Sequence, residues 1–484
     1  MLRFKHLQLF SLLLGLMLLA SSVERLSGQG IQQDNASPVP PRPNLIWIVA
    51  DDLGYGELGS YGQKTIATPR LDQMASEGMR WTRFYSGATV CAPSRSVLMT
   101  GLHHGHTPVR GNAGKENPQA QALPDGTLTI AKAMQNAGYR TALIGKWGLG
   151  DIGPAQSGLP NRQGFDFFYG FLNQRHAHNH YPSFLWRNDQ KESLPNDLVE
   201  LGGDGAGYAT QPQQYADDLF LEESIRWIDD RNAHPFFLML SLVSPHANNE
   251  RRTKLGDGTE VPSLGSYQDA PWPAQDRGHA AMIGHMDHLI GKLLDHLRRT
   301  RLDQNTLVLF TSDNGPHQES GHDPKRFQPS GPLRGFKRSL TDGGIRVPMI
   351  AWWPGTVPAN STSHHVSYQG DLFATALELA EQKSPPPPDS ISLAKELRGN
   401  GATEQHEFLY WEFHEQGFRQ AALYQGRWKG IRSGGADKPI VLYDLLNDPS
   451  ESNDVAADHP QIVGSIDRYL RDARSDSIHW PARW

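Results

Sequence analysis

NLIWIVADD, Asn44 to Asp52, is an almost unbroken apolar run that stops at two aspartates. Such a run, with no polar alternation, fits a strand buried on both faces, as in sheets sandwiched between helices. Working outward, the pattern recurs. Arg140–Gly145 (RTALIG) runs into Lys146, and Phe236–Val243 (FFLMLSLV) runs into Ser244, Pro245 and His246. Thr306–Thr311 (TLVLFT) runs into Ser312, Asp313 and Asn314, and Pro348–Trp352 (PMIAW) supplies a fifth strand. Helical patterns lie between these runs: Thr68–Met79, with Thr68 as N-cap and Pro69 in the first turn, then Thr129–Ala137, Asp217–Asp230 and a long one around Ala280–Arg299. This alternation predicts an α/β fold, a large mixed and mostly parallel central sheet flanked by helices.

The stretch SPPPPDS, from Ser384, marks a boundary. Beyond it EFLYWEF, QAALYQGRWKGI and IVLYDL are strand-like and Pro460–Ala473 is helical, which reads as a small C-terminal antiparallel sheet with one helix. The expected division is a catalytic domain over 44–385 and a subdomain over 386–484. Ahead of them, a basic start at Arg3 and Lys5, an apolar run from Leu9 to Ala20 and small residues after it describe a signal peptide over 1–28. A polar, proline-rich linker fills 29–43. The apolar run is shorter than the roughly 20 residues a membrane span needs. No cysteine follows it to carry a lipid, so export to the periplasm or the outside without a stable membrane anchor is expected.

Composition narrows the function. In 484 residues, 46 basic against 52 acidic side chains leave a net charge of -6, which argues against nucleic acid as a partner. Twelve Trp, 14 Tyr and 18 Phe give ample core, while 48 Gly and 34 Pro imply many turns and long loops. The single cysteine, Cys91, excludes an intrachain disulfide and a Cys-rich metal site. Gly54, Gly56 and Gly59 match a dinucleotide fingerprint, but no helical period opens within it and the two preceding aspartates would repel a pyrophosphate.

In open α/β sheets ligands bind beyond the carboxyl ends of the strands. Here those ends deliver Asp51, Asp52, Lys146, His246, Asp313 and Asn314. Carboxylates and an amide oxygen are hard donors suited to calcium or magnesium. Asp51 and Asp52 can share one cation only if the strand has ended, because neighbours on a strand point to opposite faces. CAPSRSVLMTG, Cys91 to Gly101, reads as a short helix with Pro93 in its first turn and Gly101 at its end. Arg95 then lies one turn from Cys91 on the same face, an electropositive setting for an exposed, reactive thiol.

That stretch fits C-x-P-S-R-x-x-x-x-T-G, and with NLIWIVADDLGYGELGSYG, GKWGLG, SPH, TSDNG, LRGFKRSLTDGGIRVP and YDLLNDPSESND it makes the chain resemble the formylglycine-dependent (type I) sulfatases of the alkaline phosphatase superfamily, from about Pro43 to Trp484. The resemblance implies an alkaline phosphatase-like fold and a Cys91 oxidised to formylglycine by a maturation enzyme. It implies a Ca2+ ion held by Asp51, Asp52, Asp313, Asn314 and an oxygen of residue 91. It further implies that the aldehyde hydrate attacks sulfur with Arg95 stabilising it, that Lys146 and Lys337 hold sulfate oxygens, and that His246 protonates the departing alcohol. An ordinary serine would be left as a stable sulfate ester. The implied substrate is a sulfated carbohydrate, first of all a galactose-type or aminosugar sulfate, or an aryl sulfate.

One position departs from the family, which often carries a histidine where this chain has Gly148. The loop from Asn173 to Tyr181 offers Gln174, His176 and His178 as substrate contacts, and His176 or His178 as the base that replaces the absent histidine. Two other readings stay open: a phosphonate or phosphate ester hydrolase of the same superfamily, and a sugar-binding relative with impaired catalysis.

Overall fold

The computed structural model describes residues 42–113, 118–150, 157–230, 234–401, 403–415 and 417–482. The expected signal peptide and all but the end of the linker lie outside them. The first strand, β1, is Asn44–Ala50 and every residue in it is buried. The main sheet continues with β2 (Met79–Trp81), β3 (Arg140–Lys146), β4 (Phe167–Phe171), β5 (Phe184–Arg187), β6 (Gln190–Ser193), β7 (Phe236–Ser241), β8 (Thr306–Ser312), β9 (Met349–Trp352) and β10 (Ser361–Ser363). These ten strands lie in the order β10-β2-β9-β8-β1-β7-β3-β4-β5-β6. The middle five, β8-β1-β7-β3-β4, are parallel, while β9 runs antiparallel to β8 and β5 antiparallel to β4.

The continuous apolar runs arise because both faces of this centre are covered. Leu45, Trp47 and Val49 join a core with helices α2 (Cys91–Thr100), α3 (Ile130–Asn136) and α6 (Asp371–Leu379). Ile46, Ile48 and Ala50 point the other way, onto α1 (Pro69–Glu77), α4 (Ala216–Asp229) and α5 (Ala274–Arg299). The period-2 alternation therefore separates two cores rather than a core from water. The long helix starts six residues before the expected Ala280, with Pro273 at its N-cap.

Four antiparallel strands, β11 (Phe408–Phe413), β12 (Arg419–Tyr424), β13 (Trp428–Ser433) and β14 (Ile440–Asp444), pair in sequence order. QAALYQGRWKGI is a hairpin rather than one piece, because Gln425 (φ 50°) and Gly426 (φ 63°) both turn left-handed between its strands. One face of this sheet, with Leu409, Trp411 and Leu423, packs on Tyr85, Val97 and Ile345. Its other face is covered by α7 (Pro460–Asp472) through Ile466 and Leu470. Among the described residues no helix is long and apolar enough to cross a membrane.

Candidate active site

The carboxyl ends of β1, β3, β7 and β8 meet the N-terminus of α2, and the polar residues after each strand collect there. Asp51 follows β1 directly. Asp52 is left-handed (φ 66°), which breaks the strand alternation and lets both carboxylates face one point. Asp313 is tied in through its Oδ1, which accepts from the Asp52 amide at 3.1 Å, and Asn314 Nδ2 donates to Asp52 Oδ1 at 2.7 Å. Asp51, Asp52, Asp313 and Asn314 are all fully buried.

Each carboxylate has its own cation. Lys146 Nζ lies 2.5 Å from Asp51 Oδ2, Lys337 Nζ 2.8 Å from Asp52 Oδ2, and Arg95 bonds Asp313 Oδ2 through Nε and a terminal nitrogen at 3.0 and 2.9 Å. The remaining Arg95 nitrogen donates to the Lys146 carbonyl at 2.7 Å and to Ser241 Oγ. Burial opposes ionisation of Asp51, but Lys146, His246, Arg95 and Lys337 together hold it well below the usual carboxylate range. Burial, followed by the Asp51 charge, pushes Asp313 up to about 7 against the pull of Arg95. Three carboxylates crowd one another here, and a divalent cation would relieve that crowding.

The donor set fits such a cation on a second ground. Asn314 Oδ1 is buried with no hydrogen-bond partner among the described residues, a costly state for an amide oxygen unless something accepts its lone pairs. The ligand atoms of Asp51, Asp52, Cys91 and His246 lie within 4.8 Å of one another. The Cys91 thiol donates to Asp51 Oδ1 at 3.3 Å, and its sulfur stands where an oxygen of a converted residue would lie.

Cys91 corrects the expectation of an exposed thiol in an electropositive setting. It is 2% exposed, and burial followed by the Asp51 charge pushes the thiol well above its ordinary value. The nearby lysines are already matched by carboxylates, so as a cysteine this residue stays protonated and is a poor nucleophile.

His246 Nδ1 is 2.7 Å from the Ala247 carbonyl, which fixes the proton on that nitrogen and leaves Nε2 as the acceptor facing Lys337 Nζ at 3.1 Å. Burial and then Lys337 hold its pKa well below the usual imidazole value. Of the loop residues, His178 stacks on His246 (centroids 4.9 Å apart) with Nδ1 3.0 Å from Glu250. His176 is not a substrate contact. Its ring is fully buried between Phe171 and Phe184, and burial lowers its pKa to about 3, so it is neither accessible nor a base at neutral pH. Sequence reasoning missed Ser241, Glu319 and His317. Glu319 Oε2 lies 3.3 Å from Lys337 Nζ and its amide donates to His317 Nδ1. Both residues sit in a loop without periodicity, PHQESGH, and only the nearby TSDNG motif could have drawn attention to it.

Comparison with known proteins accords with this geometry. The family model described as Sulfatase matches residues 43–382. The chain belongs to the sulfatase family. It is an enzyme of sulfate ester hydrolysis, and a second model, N-sulphoglucosamine sulphohydrolase C-terminal, matches residues 335–476 of this sulfatase. The sulfatase is 32% identical to the dog N-acetylgalactosamine-6-sulfatase over 409 residues, 80% of this chain and 71% of that one. It is 26% identical to a Bacteroides thetaiotaomicron N-acetylgalactosamine-6-O-sulfatase over 92% of this chain and 96% of the relative. Among solved structures, Ps i-CgsB in complex with k-i-k-neocarrahexaose superposes with a TM-score of 0.75 at 26% identity, covering 91% of this chain and 95% of that one.

Proposed function

We propose that this sulfatase removes sulfate from a sulfated carbohydrate, with residue 91 converted to formylglycine and one Ca2+ held by Asp51, Asp52, Asp313 and Asn314. The observation that carries the reading is the charge balance. Asp51, Asp52 and an ionised Asp313 are matched one for one by Lys146, Lys337 and Arg95, and Glu319 at the rim is offset by Arg338, so these groups sum to zero. A divalent cation then leaves a doubly positive, water-poor pocket, matched to a singly charged sulfate ester and one ionised hydroxyl. When bound, the ion supplies Lewis acidity and the modified residue supplies an oxygen nucleophile that the buried thiol is not.

The chain's own groups do the rest. Lys146 and Lys337 exchange part of their carboxylate contacts for sulfuryl oxygens. Arg95, fixed by Asp313, Ser241 and the Lys146 carbonyl, holds positive charge beside residue 91. Lys337 and His246 Nε2, 3.1 Å apart, hold one proton between them for the departing alcohol oxygen. The sugar assignment draws support from the relatives named for N-acetylgalactosamine sulfates, and from His178, a half-buried ring stacked on His246 at the pocket. The N-terminal pattern supports export to the periplasm or the outside, and conversion of Cys91 requires a maturation enzyme as partner.

The test is sulfate release from a panel of sulfated galactose, N-acetylgalactosamine and polysaccharide substrates. The protein should come from a host with a maturation system, with the aldehyde verified by mass spectrometry of the CAPSR peptide. Release from at least one sugar sulfate is expected. Fully converted, folded, calcium-loaded protein that releases none from any sugar would overturn the reading.

A further inference from the structure

Gly148 follows β3 and Trp147 at the same edge of the sheet as Lys146. It is left-handed (φ 75°), its amide donates to the Leu172 carbonyl at 3.1 Å and its carbonyl accepts from Gln121 Nε2 at 2.6 Å. A side chain there would have to displace Gln174 from its present place. A Cβ would stand 2.5 Å from Gln174 Nε2 and 3.1 Å from Gln174 Cδ, with Arg95 Cδ next at 3.5 Å. Gln174 thus fills the volume that residue 148 leaves, against the stem of Arg95, whose polar end is committed to Asp313, Ser241 and the Lys146 carbonyl.

The segment that carries Gln174 is pinned. It leaves β4 beside Lys146, which is in register with Phe171. Arg175 is held by Asp204 at 3.0 Å and by Glu250 at 3.4 Å, and His178 by the same Glu250. The Gln174 amide itself is only loosely engaged, with Nε2 3.5 Å from the Gly148 carbonyl. A half-buried amide with spare donors and a spare acceptor, held beside the stem of Arg95, is equipped to bond a ligand.

Resting on the sulfatase reading above, we propose that Gln174 is a substrate-contacting residue whose amide hydrogen-bonds the sulfuryl group beside Arg95, and that Gly148 is bare to admit it. An amide gives donors and an acceptor without titrating, so this wall positions the anion and moves no proton.

The test compares Q174A, Q174E, G148A and G148A/Q174A, all with verified conversion of residue 91, for turnover of 4-nitrophenyl sulfate. Q174A is expected to lose about 10- to 100-fold in kcat/KM, the effect of one hydrogen bond to a charged group, with its pH profile unmoved. Q174E places a carboxylate against an anion, so it should lose more, and the deficit should shrink as pH falls and the carboxyl protonates. G148A should be impaired by collision with Gln174, and the double variant should lose less than the product of the two single losses. Folded Q174A with wild-type kinetics, or losses that simply multiply, would overturn the proposal; Q174N replaces Q174A if that variant does not fold. Calorimetry with inorganic sulfate on wild type and Q174A reads the same contact without turnover. A wild type inactive on every sugar sulfate of the panel, whose sulfate affinity still falls in Q174A, would therefore count against the carbohydrate sulfatase reading and in favour of Gln174.

Discussion

At the scale of single residues, the buried thiol separates folding from chemistry. Cys91 touches Asp51 and Asp52 and carries little packing volume, so Cys91→Ala should change stability by about 1 kcal/mol while removing turnover altogether. Chemical denaturation and an aryl sulfate assay on the same sample check this. Residual turnover near the wild-type rate would mean residue 91 is not the nucleophile.

Glu57 makes a different kind of prediction. It is buried, its Oε2 accepts from the Gly54 amide at 2.6 Å, and Oε1 lies 2.7 Å from His279 Nε2. Burial outweighs those contacts and raises its pKa from 4.5 to about 7. The folded state therefore binds a proton more tightly than the unfolded chain. That contribution to stability is fully present below the unfolded value of 4.5 and is lost as pH rises through about 7. Glu57→Gln, neutral throughout, should flatten the fall in melting temperature over that window. Superposable pH–stability curves for the two proteins would refute the assignment.

At the scale of elements, the five apolar runs were legible because burial on both faces removes polar residues from a strand and leaves an unmistakable pattern. Helices with an N-cap and a first-turn proline were legible too, Pro69–Glu77 among them. The outer strands β5, β6 and β10 were not. They are short and partly exposed, and Gln190–Ser193 (QKES) reads as plain polar loop because neither of its sides is buried. The site was visible to the extent that its residues follow strands. Asp51, Lys146 and Asp313 extend strand ends, whereas Glu319 and His317 reach the pocket from a loop whose path no local pattern encodes. His176 misled because a histidine in a stretch as polar as QRHAHNH looks solvated, and only tertiary packing puts Phe171 and Phe184 on it.

The junction of β3 with its neighbours is the element on which the site depends most. Gly145 (φ 113°) is in register with Ser241 and Gly170, and a Cβ on it would come 1.9 Å from the Ser241 carbonyl oxygen. Gly145→Ala must part the strands that carry Lys146 and Ser241. Backbone strain and overpacking together should cost about 2–4 kcal/mol, with loss of activity in whatever remains folded. A variant of native stability in a urea titration would show that the strands yield more easily than their register suggests.

At the scale of the whole molecule, the C-terminal sheet reaches the pocket through a buried charge cluster. Lys429 on β13 is fully buried, with Nζ 2.7 Å from Asp342 and 3.1 Å from Glu451. Asp342 also takes the Tyr85 hydroxyl at 3.2 Å and Arg346 at 3.3 Å, while its amide donates to Glu451 Oε2 at 2.6 Å. Asp342 ends the segment that bears Lys337, and the Gly344 carbonyl two residues on accepts from Gly315, next to Asn314. Two groups of the pocket, Lys337 and Asn314, thus hang on a segment anchored from the other sheet. Removing one member of a buried ion cluster strands the rest, which costs about 3–5 kcal/mol. Lys429→Met should fall at the lower end, since Arg346 and Tyr85 still serve Asp342. Because the displaced segment carries Lys337, the variant should also show a raised KM for sulfate esters with a smaller change in kcat, and unfold in a single transition. An unchanged KM in a protein destabilised by that amount would mean the Lys337 segment holds its place without the C-terminal sheet, and the anchoring would then be structural alone.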